Sequence, residues 1–487
     1  MVVRCRAVSL MALCSILVGC RTTYQVLDPE YAQVSHTIDA SSNSPAFLQG
    51  SPNPISEELA GPHDVETYIR FALEQNPKIH AARKRLESIG HRVTVAASLQ
   101  DPQVGMTFFP EEVQTASGQQ EFLLQASQKF PWRGKLSTRA ELVESQTDIA
   151  RANLASVELA IIENVKNSYY ELYFIQKAIG ITKTELKLLV QIRDVANTRY
   201  KAGRTSQQDL LRAELEISNV ETELIRLNQR LESSQARLAS VLHVAPQSKL
   251  RAREKIPAEQ IPHDLELLQR NAVVARPELH ALLSAVATDR KAVELARLDY
   301  KPDFTLGATW IDVATAGVSP VANGRDSFLI STGINLPIYR SRLDSSLHSA
   351  EAKAVSTARE YDALRDSTLE QVMDLFTKVK SEQDLLTLFR EDIIPKSRQT
   401  LAVSSSAYNV GEVDFLQLID NWRLLLRYEI SQLRLEASLQ QTLAKLERLV
   451  GGYDNLPTKD DQNHINPKNP LIPRPMPPLP SKKPKKK

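Results

Sequence analysis

The chain has 487 residues, with 60 Lys and Arg against 58 Asp and Glu and only 16 Gly, enough for two or three ordinary domains or one elongated repeat architecture. Without residues 1–20, which hold Arg4 and Arg6, basic and acidic side chains balance at 58 each. Residues 456–487 carry eight basic and two acidic side chains, so 21–455 is acidic by six charges, which argues against a nucleic-acid partner.

All three cysteines, Cys5, Cys14 and Cys20, lie in the first 20 residues. A mature chain beginning at Cys20 therefore has no internal disulfide and no thiolate metal site. Arg4 and Arg6 precede an apolar run, Ala7–Val18, too short to span a bilayer but suited to secretion. The run ends in Leu17-Val18-Gly19-Cys20, which resembles the bacterial lipoprotein box. Residues 1–19 read as a signal peptide and Cys20 as the lipidated first residue. Arg21 is not Asp, which in such signals favours the outer membrane. Residues 20–60 read as an extended, anchored segment.

From there the chain is one unit written twice. Asn76-Pro77-Lys78-Ile79-His80 returns as Arg276-Pro277-Glu278-Leu279-His280, and Asp101-Pro102 as Lys301-Pro302, both 200 residues on. Phe130-Pro131 returns as Leu336-Pro337, and Tyr200 and Gly203 return as Tyr408 and Gly411, at offsets of 206 and 208. Landmarks kept in order with so little drift mark a duplication, with repeats at 61–250 and 251–452.

Each repeat opens with a helix (78–100, then 278–299) followed by two alternating segments. A very long helix comes next (134–202, then 341–410). After a glycine turn a medium helix returns (205–243, then 413–450). The long stretches are rich in Ala, Leu, Glu, Arg and Gln, with apolar residues at three- and four-residue spacing, as in Val157, Ile161, Val165, Tyr169 and Leu172. At ~1.5 Å per residue the first is a rod of ~100 Å, a coiled-coil wall rather than part of a globule.

The alternating segments, about 102–110, 120–130, 302–313 and 327–336, read as strands. Phe304, Leu306, Ala308 and Trp310 share one face with Phe328, Ile330 and Ile334, and the other face is mostly small or polar. Loops at 110–119 and 314–326 join them. Strands of this length, apolar on one side and polar on the other, carry the pattern of a membrane β-barrel. Four strands cannot close, and an open edge is not tolerated in lipid. Two copies would give eight strands and three would give twelve; the residues leave both open. Residues 453–487, with nine prolines after position 455 and a terminal Lys-Lys-Pro-Lys-Lys-Lys, read as a disordered tail.

The lipobox, the duplicated unit, Phe130-Pro131-Trp132-Arg133-Gly134-Lys135, Leu336-Pro337-Ile338-Tyr339 and Gly203-x-x-Ser206-x-x-Asp209-Leu210-Leu211 together resemble the TolC-type outer-membrane efflux family. The resemblance implies a homotrimer, a 12-stranded barrel in outer-membrane lipid continuous with a long periplasmic helical barrel, and work with a periplasmic adaptor and an inner-membrane pump. The Phe-Pro-Trp-x-Gly-Lys segment also resembles the subgroup serving cobalt–zinc–cadmium or copper–silver exporters.

The same resemblance makes Gly203, Ser206 and Gly411 the adaptor-contacting tips. It makes Tyr408 and Asp209 the partners of a closed-state bond, and Asp420 a ring of carboxylates at the periplasmic aperture. Two positions depart: Val413 stands where relatives have Arg, and Gln417 where they have Asp, so one charge-assisted bond is missing. No cofactor, catalytic residue or metal site is expected. There is no phosphate loop, nucleophile elbow or His-Glu-x-x-His, and His80 and His280 read as inherited packing residues. The remaining alternatives are a drug or protein-secretion duct of the same family, and a coiled-coil structural lipoprotein without a pore.

Overall fold

In the computed structural model the described residues are 28, 30, 31, 59, 61–256, 261–315 and 317–452. The chain divides into two units, Met1–Pro54 and Ile55–Lys487, and every helix and strand named here lies in the second. Cys20 and the tail beyond residue 452 fall outside the described residues. The first repeat runs β1 (Pro62–His63), α1 (Val65–Gln75), α2 (Pro77–Ala97), β2 (Gln103–Thr115), β3 (Gly118–Phe130), α3 (Lys135–Lys201) and α4 (Gln207–Leu242). The second runs β4 (Arg251–Ala252), α5 (Leu265–Ala275), α6 (Pro277–Leu298), β5 (Phe304–Val313), β6 (Ser327–Ile334), α7 (Arg340–Leu388), α8 (Ile394–Val410) and α9 (Phe415–Leu449). A five-residue π turn, Phe389–Ile393, joins α7 to α8.

The duplication extends to helix capping. Asp64 accepts from Thr67 N at 3.1 Å to start α1, and Asp264 accepts from Leu267 N at 3.0 Å to start α5. Pro77 and Pro277 each occupy the first helical position, where a missing N–H costs nothing. The two histidines do more than pack. The ring Nε2 of His80 lies 2.8 Å from Glu74 O, and that of His280 lies 2.7 Å from Val274 O, so each ties a carbonyl of the preceding short helix across the proline corner. Those short helices were not legible in the repeat pattern.

The middle of α3 is buried nearly all round: Val165, Tyr169, Tyr170, Leu172, Tyr173, Phe174, Ile175 and Ala178 belong to one core cluster. That fits a helix walled on several sides, since residues of α1, α4 and α9 share the cluster. Arg434 reaches Glu171, and Lys166 meets Glu447 at 2.5 Å, both pairs joining α3 to α9 of the other repeat. The parallel pairing of β1 with β4 and the bond from Tyr68 OH to Arg251 O, 3.0 Å, join the start of the first repeat to the start of the second.

Four strands form one antiparallel sheet in the order β2-β3-β5-β6. Register sets the faces, because directly opposed residues lie on the same side. One row holds Met106, Leu124, Trp310 and Phe328, the next Val104, Ala126, Ala308 and Ile330. Phe122 meets Trp310 edge-on at 5.3 Å. This apolar face lies open in the single chain, with Ile330 71% and Phe328 67% exposed. The other face carries Gly105, Thr107, Gln125, Ser127, Thr305, Thr309 and Ser331, interrupted by Leu123, Ile311 and Leu329. The first loop is a correction: β2 and β3 continue to a two-residue turn at 116–117, where a loop over 110–119 is expected from the sequence. Pro110 is taken up in a register irregularity between Phe108 and Val113 instead of ending the strand. The longer second loop folds over that turn, with Ser319 N donating to Ala116 O and Gly324 N to Ser117 O.

Candidate functional site

Two glycine turns end the long helices. At the first, Arg204 N donates to Arg199 O and Gly203 N to Tyr200 O, both at 2.9 Å. At the second, Glu412 N donates to Ala407 O at 3.0 Å and Gly411 N to Tyr408 O at 3.1 Å. Both are Schellman closures, and their bonds join equivalent residues at the 208-residue offset. Gly203 and Gly411 adopt φ +72 and +92, which a side chain would strain. Ser206 starts α4 without a capping side-chain bond, whereas Asp414, its repeat equivalent, accepts from Gln417 N at 2.8 Å.

The structure brings Tyr408 and Asp209 to the same place. Tyr408 is 2% exposed and its ring stands edge-on to Phe415 at 5.7 Å. Its hydroxyl faces Thr205 and Asp209 but forms no hydrogen bond of full geometry within the chain. Burial pushes this phenol above its ordinary value, and the Asp209 carboxylate adds to the effect. Asp209 itself is held by the Thr205 hydroxyl, in the first turn of α4 where a negative charge suits the helix dipole. Arg199, in the last turn of α3, donates to the Tyr408 carbonyl and lies over its ring, 4.7 Å from the centroid.

Asp420 sits one turn into α9 and is not a lone carboxylate. Arg423 Nη1 lies 3.2 Å from it, and the same guanidinium forms a two-point pair with Glu216 of α4, at 3.0 and 2.5 Å. That pair holds Glu216 below the usual carboxylate range. Asp420 is therefore part of a carboxylate–guanidinium–carboxylate triad that bridges the hairpins. Arg423 was within reach of the sequence, being three residues along the same helix; Glu216 and Arg199 were not. Among the described residues no group of three or more His, Cys, Asp or Glu is placed to hold a metal.

The Phe-Pro-Trp-Arg-Gly-Lys segment makes the corner where β3 turns into α3. Gly134 takes φ +95, Trp132 stacks on Phe304 at 5.9 Å, and Lys135 is 3% exposed. Lys135 Nζ donates to Asp303 at 2.8 Å and to Lys301 O at 3.2 Å, fastening the first repeat to the strand entry of the second.

The sequence profile described as "Outer membrane efflux protein" matches residues 68–242 and 268–452, one span per repeat. The chain belongs to the outer membrane efflux protein family. As a member it is a passive outer-membrane conduit, not an enzyme. The cobalt-zinc-cadmium resistance protein CzcC of Cupriavidus metallidurans is 23% identical over 400 residues, covering 81% of this chain and 91% of the relative. SilC of Salmonella typhimurium, named a probable outer membrane lipoprotein, is 22% identical over 454 residues, 90% and 96% of the two chains. The solved outer-membrane channel OprN has the same fold, with a TM-score of 0.69 at 18% identity over 83% of this chain and 97% of that one.

Proposed function

We propose that three copies of this efflux protein close a 12-stranded barrel in the outer membrane and a helical conduit below it, passing heavy-metal cations received from an inner-membrane pump through a periplasmic adaptor. The observation that carries the reading is the four-stranded sheet with an open apolar face and, among the described residues, strands β2 and β6 each paired on one side only. An unpaired edge in hydrocarbon leaves N–H and C=O groups unsatisfied, so the edges call for further copies, and the polar opposite face then lines water. Three copies rather than two follows the family resemblance. Cation cargo follows the likeness to CzcC, and lipidation at Cys20 follows the lipobox together with the likeness to SilC. The tips at Gly203, Ser206 and Gly411 are the adaptor-contacting ends, and Asp209, Tyr408 and Asp420 belong to the aperture.

Purified protein in detergent should have the mass of three chains and form ion-conducting pores in planar bilayers. A monodisperse monomer without conductance would instead favour the structural-lipoprotein alternative. For cargo, cells lacking the chain should accumulate cobalt, zinc or cadmium; accumulation of a hydrophobic dye alone would favour a drug duct.

A further inference from the structure

The last turn of α8 carries no basic side chain of its own, yet its C-terminal carbonyls are not left without a cation. Arg199 arrives from the other repeat, on the last turn of α3. Its guanidinium covers one face of the Tyr408 ring at 4.7 Å and donates to the Tyr408 carbonyl, one of the last carbonyls of α8. A Cβ on Gly411 would lie 3.3 Å from Arg199 Nη2, so the bare turn is what lets the guanidinium approach. Arg199 O also accepts from Arg204 N, which makes the residue part of its own turn as well. One residue therefore joins both tips, its carbonyl in the first turn and its guanidinium on the second, and the negative end of the α8 dipole favours its charge. The Arg199 Nε is buried with no partner in the chain, so the guanidinium has given up water to sit there.

We propose that Arg199 is the positioning residue that latches the second-repeat hairpin tip, α8 and α9, to the first-repeat tip, supplying the cation that the last turn of α8 lacks and holding the aperture narrow. This rests on the duct reading above. The latch works across repeats within one chain. Its release loosens the α8–α9 turn itself, because the guanidinium and the closure bond from Gly411 N share the Tyr408 carbonyl. Planarity matters as well as charge: Arg stacks on the ring while bonding the carbonyl, whereas Lys offers a point charge without the flat face, and Gln offers a donor without charge.

The test is single-channel recording of the full-length protein in planar bilayers with Arg199→Ala, Arg199→Gln and Arg199→Lys. Loss of a cation–π contact and a charge-assisted bond should raise the ratio of open to closed time about tenfold in Ala and Gln, equivalent to ~1.4 kcal/mol. Lys should fall between them and wild type. Hydrogen exchange at Gly411 and Glu412 should quicken in the same order, and this readout survives if a variant inserts poorly. Wild-type pores whose gating and exchange are unchanged by Ala and Gln overturn the latch alone. A wild-type protein that forms no pore removes the duct reading instead, and faster exchange in its Ala variant would still support the tip contact.

Discussion

Lys135 and Asp303 meet at 2.8 Å where the sheet joins the helices, and both are more than nine-tenths buried. Asp303 also accepts from Trp132 N at 3.0 Å and pairs with Lys129 at 3.2 Å, so the ion pair is satisfied on several sides. Replacing Lys135 leaves the buried Asp303 carboxylate with the half-exposed Lys129 as its counter-charge, so the cost falls below the about 3–5 kcal/mol of a buried charge left wholly unpaired. Lys135→Met should still lower the unfolding midpoint in detergent more than Lys135→Met combined with Asp303→Asn. Equal losses in the single and double variants would show that the pair shapes the corner only through packing.

The sheet makes a sharper prediction because neighbours on one strand point to opposite faces. Ile330, on the open apolar face, replaced by Lys should impair insertion by about 2–4 kcal/mol if it lies near the bilayer midplane. Ser331→Lys, on the other face, should insert almost normally. Heat-modifiable mobility of the membrane-extracted protein reads the difference.

Much of this architecture is written in residues that act on their own backbone. Asp64 and Asp264 cap, Pro77 and Pro277 start helices, and Gly203 and Gly411 take positive φ, so the repeat and its turns show in the sequence. Contacts between residues some 200 positions apart leave no such local mark. Arg199 beside Tyr408, Glu216 beside Arg423 and Asp303 beside Lys135 emerge only when the two repeats are laid together. The first hairpin runs past its expected loop for another reason: on β2, an edge strand of this sheet, the missing N–H of Pro110 is absorbed by an irregularity, so pairing continues beyond it.

Glu185 of α3 gives a pH prediction. Burial pushes its carboxyl above the ordinary value of 4.5, and the neighbouring Glu429 adds to this, while Trp422 and the Arg398 that pairs with Glu429 oppose it. A raised carboxyl binds its proton more tightly folded than unfolded. Its stabilising contribution is therefore complete below pH 4.5 and is lost as pH rises through the folded value. Glu185→Gln should raise the melting temperature at pH 7 and give little gain at pH 4. A gain that is the same at both would mean the carboxyl titrates normally.

Lipidation is tested directly. Metabolic labelling with a tagged fatty acid should mark the wild-type protein and not Cys20→Ala, and equal labelling of both would remove the assignment. Because the proposed barrel itself inserts, the unlipidated form should remain partly in the membrane fraction.

The last prediction concerns charge at the mouth. Asp420 alone suggests a cation-attracting carboxylate, but Arg423 lies 3.2 Å away and is held between it and Glu216. The triad carries one net negative charge, so the field at Asp420 is weaker than the sequence implies. Asp420→Ala should then reduce cation selectivity only modestly, because removing the acid leaves Arg423 still neutralised by Glu216. Arg423→Gln should do the opposite: it unmasks two carboxylates, raises cation over anion permeability and strengthens block by divalent ions, three times over in a trimer. Glu216 is held low by Arg423, so it should titrate at higher pH in Arg423→Gln, and the extra selectivity should fade as the bath is acidified into the carboxylate range. Reversal potentials in a salt gradient measure all of this. If Arg423→Gln leaves them unchanged while Asp420→Ala abolishes selectivity, Arg423 does not screen Asp420 in the assembled pore, and the acid acts there on its own.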